Sequence, residues 1–298
     1  MAVGNAKLWG GQSMSGTLRR VLVYPPVPPG PDVSWEAFGY LRPIDHDLAV
    51  REHEALRQIL RDNGVEVLTG EIDDAGLQDA IFPYDPMITV DDGVILTRMG
   101  KPLREAEVDL AARTLEEHGV PVVGRITAPG KVEGGDTCWI DERTLAVGRG
   151  YRTNTEGILQ LHDLLSPRGI SVIGYDLPHW HGPSECLHLL SLISMLDHNL
   201  AVVYLPLLPT AMVELLEQRQ IQMVPIPDEE FASQGCNVLA LGPRRCVILK
   251  ENVVTIERLR AAGCTVIPYS GDEISHNRTG GPTCLTRPIL RDAVVLDD

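Results

Sequence analysis

The stretch HEALRQILRDNGVEVLTG, at residues 53–70, decides the fold because its pattern returns four more times along the chain. Apolar residues follow helical spacing through its first part, a glycine comes next, and a short run rich in β-branched residues ends it. This order predicts a helix, a left-handed glycine cap and a strand. The other copies are LAARTLEEHGVPVVGR (110–125), the segment 156–175, MVELLEQRQIQMVPIP (212–227) and TIERLRAAGCTVIPYS (255–270).

The five copies differ at the glycine and are separated by further strand patterns. Four copies carry the glycine, whereas the fourth copy has Gln220 in its place. Strands are also predicted at Val21 to Tyr24, Val94 to Thr97, Thr144 to Val147, Leu200 to Tyr204, Val247 to Leu249 and Ala293 to Leu296.

A unit of helix and short strands that repeats at about 45 to 55 residues favours a radial arrangement, in which each unit buries its apolar face against its neighbours. We therefore predict an α/β fold, a five-bladed α/β propeller of pseudo-fivefold ββαβ repeats, as a single catalytic domain over residues 1–298. A doubly wound α/β sheet is the alternative. Against it, the first strand runs into PPVPPGP (25–31) and not into a glycine-rich phosphate loop.

Composition excludes several classes of partner. The chain of 298 residues has 26 basic and 41 acidic residues, a net charge of −15, which argues against nucleic acid or an anionic membrane as partner. Met1 to Ser15 holds no apolar run of signal-peptide length, and no later stretch has the length of a membrane span, so a cytoplasmic protein is expected. The six cysteines lack paired spacing and are expected to be reduced.

Polar and glycine-rich segments lie at equivalent places in successive repeats. They are DPMITVDD (85–92), EGGD (133–136), ECLH (185–188), GCN (235–237) and GGPTC (280–284). In a closed ring, equivalent positions of all repeats meet at one axis, where a site is expected. Cys284 follows a Gly-Gly-Pro turn whose amide groups can stabilise a thiolate, so it is the candidate nucleophile. The other cysteines are interpreted as small buried hydrophobes.

His188 and Glu133 are the candidate partners of the cysteine. Histidine is the usual general base, although a histidine in the apolar run CLHLLSLISMLDHNL (186–200) is also a common packing residue. Glu133 is followed by two glycines and can orient an imidazole or bind a cation, or it can be an ordinary turn acid.

A zinc site is the competing interpretation of the same region. PHWHGPSECLH (178–188) offers His179, His181, Cys186 and His188 as ligands. The irregular spacing and the lack of a second Cys/His pair nearby argue against it, and we predict no metal.

These segments together resemble the guanidino-group-modifying, or pentein, superfamily, and most closely dimethylarginine dimethylaminohydrolases, with relatives among arginine deiminases. The resemblance rests on Glu133 to Asp136, Arg-Thr-Asn at 152–154, Leu-His-Leu at 187–189 with the Asn-Leu strand that follows, and Thr283 to Cys284. It implies hydrolysis of a guanidino C–N bond of arginine or an N-methylated arginine, without metal or cofactor. It also implies a small-molecule guanidino substrate as partner and, as in many relatives, a homodimer.

Residue roles follow from the same resemblance. Cys284 is implied to be the nucleophile, His188 the general acid and base, and Glu133 the acidic partner of the histidine and guanidinium. Asp85 and Asp91 match substrate-binding aspartates. Arg104 and Arg152 match arginines that hold the substrate carboxylate, a role suited to a bidentate guanidinium.

Departures from these families leave the substrate open. Leu190 stands where arginine deiminases carry an aspartate, and Thr279 where mammalian dimethylaminohydrolases carry one. GGPTCLTRPI (280–289) is more similar to the deiminase C-terminus. Amidino transfer to an acceptor amine and a noncatalytic ring protein are the alternatives. The loops Pro25 to Trp35 and Pro178 to Pro183 are expected to control access to the site.

Overall fold

A computed structural model describes residues 7–183, 185 and 187–293. Its helices are α1 (Trp35–Phe38), α2 (His46–Asp62), α3 (Glu107–Glu117), α4 (Thr155–Leu165), α5 (Thr210–Gln218) and α6 (Val253–Ala261). Its strands are β1 (Leu18–Val23), β2 (Glu66–Thr69), β3 (Met87–Val90), β4 (Gly93–Leu96), β5 (Val122–Arg125), β6 (Thr137–Asp141), β7 (Thr144–Arg149), β8 (Ser171–Asp176), β9 (Ile193–Asp197), β10 (Leu200–Val203), β11 (Gln222–Pro225), β12 (Leu239–Gly242), β13 (Arg245–Leu249), β14 (Thr265–Tyr269) and β15 (Arg287–Arg291). No helix within these ranges is long and apolar enough to cross a membrane.

The strands form five three-stranded sheets of one topology in the described part of the chain. In β3-β4-β5, the first two strands are antiparallel, and a helix then connects the second strand to a third that pairs in parallel. The sheets β6-β7-β8, β9-β10-β11 and β12-β13-β14 repeat this order. The mixed α/β chain is therefore built from a pseudo-fivefold ββαβ repeat.

The remaining sheet joins the two ends of the chain. β1 pairs with β2 in parallel and with β15 in antiparallel fashion, so the last described strand supplies the first strand of the first repeat. The prediction of a closing strand at Ala293 to Leu296 was wrong in position. The closing strand is Arg287–Arg291, Ala293 is irregular, and residues 294–296 lie outside the described residues.

The predicted caps are confirmed at the ends of the long helices. Gly64, Gly119, Gly169 and Gly263 all have positive φ, between 67° and 87°. Gln220 adopts φ 55° at the equivalent place, although it carries a side chain. The helix faces pack on the sheets, and the described buried apolar residues fall into three clusters.

Candidate active site

Each repeat contributes one polar side chain from the loop just before its first strand. These residues are Asp85 before β3, Glu133 before β6, His188 before β9, Asn237 before β12 and Cys284 before β15. His188, Asn237 and Cys284 line a cavity of about 350 Å³. Asp85 and Glu133 are buried and contact the histidine. The repeat thus brings together residues that lie almost 200 positions apart in sequence.

His188 lies between two carboxylates. Its Nε2 is 2.8 Å from Oε2 of Glu133, and its Nδ1 is 3.9 Å from Oδ1 of Asp85. Gly135 allows this approach, since a Cβ there would lie 2.3 Å from His188 Nδ1. The EGGD segment therefore needs its second glycine for close contact with the imidazole.

Glu133 is held in its ionised form. Its Oε1 accepts hydrogen bonds from the backbone N–H groups of Gly100 at 2.9 Å and Lys101 at 3.1 Å, and Arg152 Nη1 lies 3.3 Å from Oε2. Burial alone would raise the pKa of Glu133, but the hydrogen bond to His188 and the charges of His188 and Arg152 together lower it below its usual range. A carboxylate with these partners stabilises a positive charge on the imidazole.

Asp85 is fixed from behind by Arg104. The guanidinium Nη1 donates to Asp85 Oδ2 at 2.6 Å, while Asp85 Oδ1 accepts from the Gly135 N–H at 2.8 Å. Arg104 is 4% exposed, and its Nε and Nη2 donate to Glu107. It does not line the cavity, and its guanidinium nitrogens already donate to Asp85 and Glu107, so its expected role as a ligand of the substrate carboxylate stays a prediction. Arg104 is a positioning residue for Asp85.

Asp91 lies away from the site. It stands in the turn between β3 and β4, its side chain is 61% exposed, and it forms an ion pair with Lys7 at 3.3 Å. Six residues in a strand-like chain span about 20 Å, so β3 carries Asp91 to the far end of the sheet from Asp85. The prediction that Asp91 binds substrate was wrong because Met87–Val90 was interpreted as part of one polar loop. Arg152 contacts the site through Glu133, and its binding to a substrate carboxylate stays a prediction.

Cys284 is half-buried, and its Sγ accepts a hydrogen bond from Asn237 Nδ2 at 3.0 Å. Burial raises the pKa of the thiol to about 11, and the charge of Asp85 adds to this rise. The Asn237 amide, the charge of His188 and the backbone at Gly281 act in the opposite direction. The free site therefore holds a neutral thiol at pH 7, beside groups that stabilise a thiolate.

Two residues of the site were not assigned from the sequence. Asn237 also accepts from the Thr283 N–H at 3.0 Å, so it fixes both the nucleophile and the turn before it. Asp136 is fully buried, and its Oδ1 accepts from the Leu189 N–H at 3.1 Å, just after the histidine. Their signal was present in the GCN and EGGD segments, which occupy equivalent places in the repeats.

Two departures noted in the sequence lie at the cavity. Leu190 and Thr279 both line it. Trp180 and His181, from the predicted access loop Pro178 to Pro183, line it as well. The other predicted loop, Pro25 to Trp35, contributes no lining residue, and Leu41 lies there instead.

The metal interpretations find little support in the geometry. His179 is hydrogen-bonded to Tyr151, and the His181 ring lies 4.2 Å from that of Trp180. They form no ligand cluster with His188 in the described part of the chain. Cys186 lies outside the described residues. One ligand atom each of Asp85, Glu133 and His188 lie within 4.8 Å of one another. The carboxylates among them already accept from N–H donors and guanidinium groups, which a cation would have to displace.

Comparison with known proteins gives the family. The sequence model of the family described as eukaryotic N,N-dimethylarginine dimethylhydrolase matches residues 39–291. An N(G),N(G)-dimethylarginine dimethylaminohydrolase of Streptomyces coelicolor is 29% identical over 221 residues, which cover 74% of this chain and 78% of that protein. An arginine deiminase of Listeria monocytogenes is 25% identical over 258 residues, covering 72% of this chain but only 62% of the relative.

A solved structure has the same fold. Dimethylarginine dimethylaminohydrolase from Pseudomonas aeruginosa, in a variant complexed with citrulline, superposes with a TM-score of 0.74 at 24% identity, covering 91% of this chain and 98% of that one. The family match extends over all the site segments, from Asp85 to Cys284. The resemblance inferred from the motifs is thereby confirmed, and the chain belongs to the N,N-dimethylarginine dimethylhydrolase family.

Proposed function

We propose that this protein hydrolyses a guanidino C–N bond of arginine or an N-methylated arginine through a covalent intermediate on Cys284, giving citrulline and an amine. The observation that carries the proposal is that Cys284 and His188 line one cavity, with the buried carboxylates of Asp85 and Glu133 against the histidine. A thiol, an imidazole and a pair of anions match what a planar cationic guanidinium requires.

The proposed architecture is a closed five-bladed propeller formed by one catalytic domain over residues 1–298. Contacts between neighbouring sheets support it: β9 contacts both β6 and β12, and β12 contacts β1. Thr89 in β3 donates a hydrogen bond to the Pro288 carbonyl in β15, which connects the second sheet to the first. The cavity would then lie at one end of the propeller axis.

Formation of the nucleophile is the first step. The thiol pKa of about 11 falls when a guanidinium cation binds beside it, because the cation offsets the charge of Asp85 and stabilises the thiolate. The thiol proton passes to solvent as substrate binds, and the imidazolium of His188, stabilised by Glu133, keeps its own proton for the leaving group. The negative charges of Asp85 and Glu133, which lie against His188, attract the guanidinium towards Sγ.

Cleavage and hydrolysis follow. The thiolate adds to the guanidinium carbon and forms a C–S bond, His188 transfers a proton to the leaving nitrogen, and the C–N bond breaks with release of the amine. His188 then takes a proton from water as its oxygen attacks the thiouronium carbon. The C–S bond breaks, and the added hydroxyl gives up its proton to the released amine or to solvent and becomes the urea carbonyl. The products are a urea, citrulline from an arginine substrate, and the free thiolate. No redox step or cofactor is needed.

An alkylated guanidinium is the favoured substrate class. Leu190 is 3% exposed and lines the cavity, so it offers an apolar contact and no second carboxylate. A leucine side chain at this place accommodates N-methyl groups and offers no acceptor to an N–H group of unmethylated arginine. Release of ammonia from arginine is the second candidate, supported by the similarity to an arginine deiminase.

The other expectations remain proposals. The partner is a small guanidino compound, without nucleic acid or membrane as partner, and no metal or cofactor takes part. The protein acts in the cytoplasm, and its assembly is a homodimer.

The test is a citrulline assay on purified protein with arginine, monomethylarginine and asymmetric dimethylarginine, with ammonia and methylamines measured in parallel. We expect citrulline and the matching amine in equal amounts, and their loss in Cys284→Ser. Cys264→Ser is the matched control, because Cys264 is the residue just before β14 and does not line the cavity. No turnover of any of the three compounds would contradict the proposal, and product that appears only with an added acceptor amine would replace hydrolysis with amidino transfer.

A further inference from the structure

A second and much smaller cavity adjoins the proposed active site. It has a volume of about 20 Å³, and Tyr84 lines both cavities. Thr283, the residue before the nucleophile, forms part of its wall, together with Arg287 and Arg291 from β15. Neither Asp nor Glu lines it.

The two arginines are buried without a carboxylate partner in the part of the chain that the structure describes. Each is 4% exposed. Arg287 Nη2 donates to the Tyr84 carbonyl, and Arg291 Nη1 and Nη2 donate to the carbonyls of Gly16 at 2.7 Å and Ala240 at 2.9 Å. Carbonyl groups satisfy hydrogen bonds but bring no counter-charge. Burying a guanidinium that has only carbonyl acceptors costs free energy unless an anion is close.

Three polar groups on this wall also lack hydrogen-bond partners among the described residues. They are the Nε–H groups of Arg287 and Arg291 and the hydroxyl of Thr283, which is 2% exposed. Burial lowers the pKa of Arg291 to about 10. Burial also lowers that of Arg287, although the charge of Asp85 acts in the opposite direction and the Arg287 guanidinium lies 3.6 Å from the Tyr84 ring centroid. Unpaired donors around a cation-lined cavity are the elements of an anion site.

We propose that this cavity binds a monatomic anion, chloride in a physiological salt solution, held by the Nε–H groups of Arg287 and Arg291 and the Thr283 hydroxyl. The size of the cavity selects the ligand. One water-sized particle needs about 10 to 15 Å³ of such space, so the cavity accommodates one or two particles of that size and excludes a tetrahedral oxyanion.

The site exists only in the folded protein. The segment around Ser13 and Met14 covers the cavity, with the Tyr84 hydroxyl 3.3 Å from Met14 Sδ. Arg291 is anchored to this segment through Gly10 and Gly16. An anion bound here therefore stabilises the native state in proportion to the logarithm of its concentration.

The first test is thermal unfolding in chloride at constant ionic strength, with gluconate as the replacement anion. We expect the Tm of the wild-type protein to rise by about 2 to 4 °C for each tenfold increase in chloride above the dissociation constant. Arg291→Met and Thr283→Val should lose this dependence. Thr286→Val is the matched control and should keep it, because that hydroxyl donates to the Pro282 carbonyl and does not line the cavity.

Bromide diffraction keeps the proposal testable if Arg291→Met does not fold. Crystals of the wild-type protein grown in bromide should give an anomalous peak between Arg287 Nε, Arg291 Nε and Thr283 Oγ1. Cavity density without anomalous signal would mean that water fills the cavity and would overturn the proposal. Equal Tm values in chloride and gluconate would overturn it too.

Discussion

At the scale of single residues, the site depends on opposing influences on the cysteine thiol. Burial and Asp85 disfavour the thiolate, while Asn237 and His188 favour it. In the proposed mechanism the Cys284 thiol therefore stays protonated until a cation binds, which would limit side reactions of the free protein. Asn237 and Asp85 act on the thiol in opposite directions, so they can be separated by mutation.

Asn237→Ala should raise the pKa of the Cys284 thiol, and Asp85→Asn should lower it, because the first removes a hydrogen bond to sulfur and the second a nearby negative charge. Each pKa unit changes the thiolate fraction at pH 8 by about tenfold. The measurement is the rate of alkylation by iodoacetamide between pH 7 and 10, followed by mass spectrometry of the peptide that contains Cys284. Changes of the same sign in both variants would show that the hydrogen bond and the charge do not set the pKa.

Asp136 should make stability depend on pH. Burial raises its pKa to about 6 from an ordinary 3.8, so the folded state keeps this proton to higher pH than the unfolded chain does. The carboxyl therefore lowers the free energy of unfolding progressively as pH rises from about 4 to about 6. Asp136→Asn stays neutral at every pH. Its free energy of unfolding, measured with urea, should therefore rise relative to that of wild type by about 2 to 3 kcal/mol between pH 4 and pH 7. A difference between the two proteins that is the same at both pH values would refute this assignment.

At the scale of elements, the helix and strand that end each repeat were predictable, whereas the strand that begins it was not. The five helix, cap and strand copies have long periodic patterns, and all five are present. Strands such as β3 and β12 have only four residues, every one of them buried, so they show no alternation of polar and apolar positions. That gap explains the wrong role given to Asp91, since a strand hidden in DPMITVDD separates it from Asp85.

The site was predictable in part for the same reason. Cys284, His188, Glu133 and Asp85 stand in polar segments at equivalent places, and the structure brings them together. The partners of Arg104 were not predictable, because sequence spacing does not reveal that Glu107, one helical turn away, and Asp85 engage its guanidinium. Such pairing in a buried network is decided by tertiary packing.

The odd cap at Gln220 gives a prediction for one element. A residue with a Cβ at φ 55° is strained by about 1 kcal/mol or more, and glycine removes that strain. Gln220→Gly should therefore stabilise the protein by about 0.5 to 1 kcal/mol, after allowance for the freedom of glycine in the unfolded chain. Gly169→Ala makes the opposite change at the equivalent cap, where φ is 72°, and should destabilise the protein by a similar amount. Denaturant unfolding measures both, and a destabilised Gln220→Gly would count against the cap.

At the scale of the whole molecule, the repeat explains why catalytic residues so far apart in sequence meet at one cavity. Each ββαβ unit delivers the loop before its first strand to the same place, so one architecture supplies five positions for chemistry. The first unit takes that strand from the far end of the chain, as β15 pairs with β1. Cys284 therefore depends on the pairing of the two chain ends.

This closure predicts that the chain ends can be joined and moved. In a circular permutant that begins at Ala75 and ends at Asp74, a glycine and serine linker would connect Asp298 to Met1. The Arg291 N–H donates to the Gly10 carbonyl at 2.9 Å, so the described segments next to the two ends lie side by side. The new ends fall in the exposed stretch Asp73 to Gly76, between repeats. We expect it to fold and to keep activity within about tenfold of wild type, because exposed loops between units tolerate new termini. A permutant that cannot fold would argue against closure by β1 and β15.

The central claim is that Cys284 attacks the guanidinium carbon and releases the amine before water enters. Mass spectrometry of wild-type protein quenched with acid during turnover tests it most directly. The peptide with Cys284 should gain the mass of the substrate less that of the released amine. Arginine and asymmetric dimethylarginine differ only in the amine that leaves, so each of them that is turned over should give the same adduct. Steady turnover with an unmodified Cys284, or an adduct that retains the amine, would contradict the account.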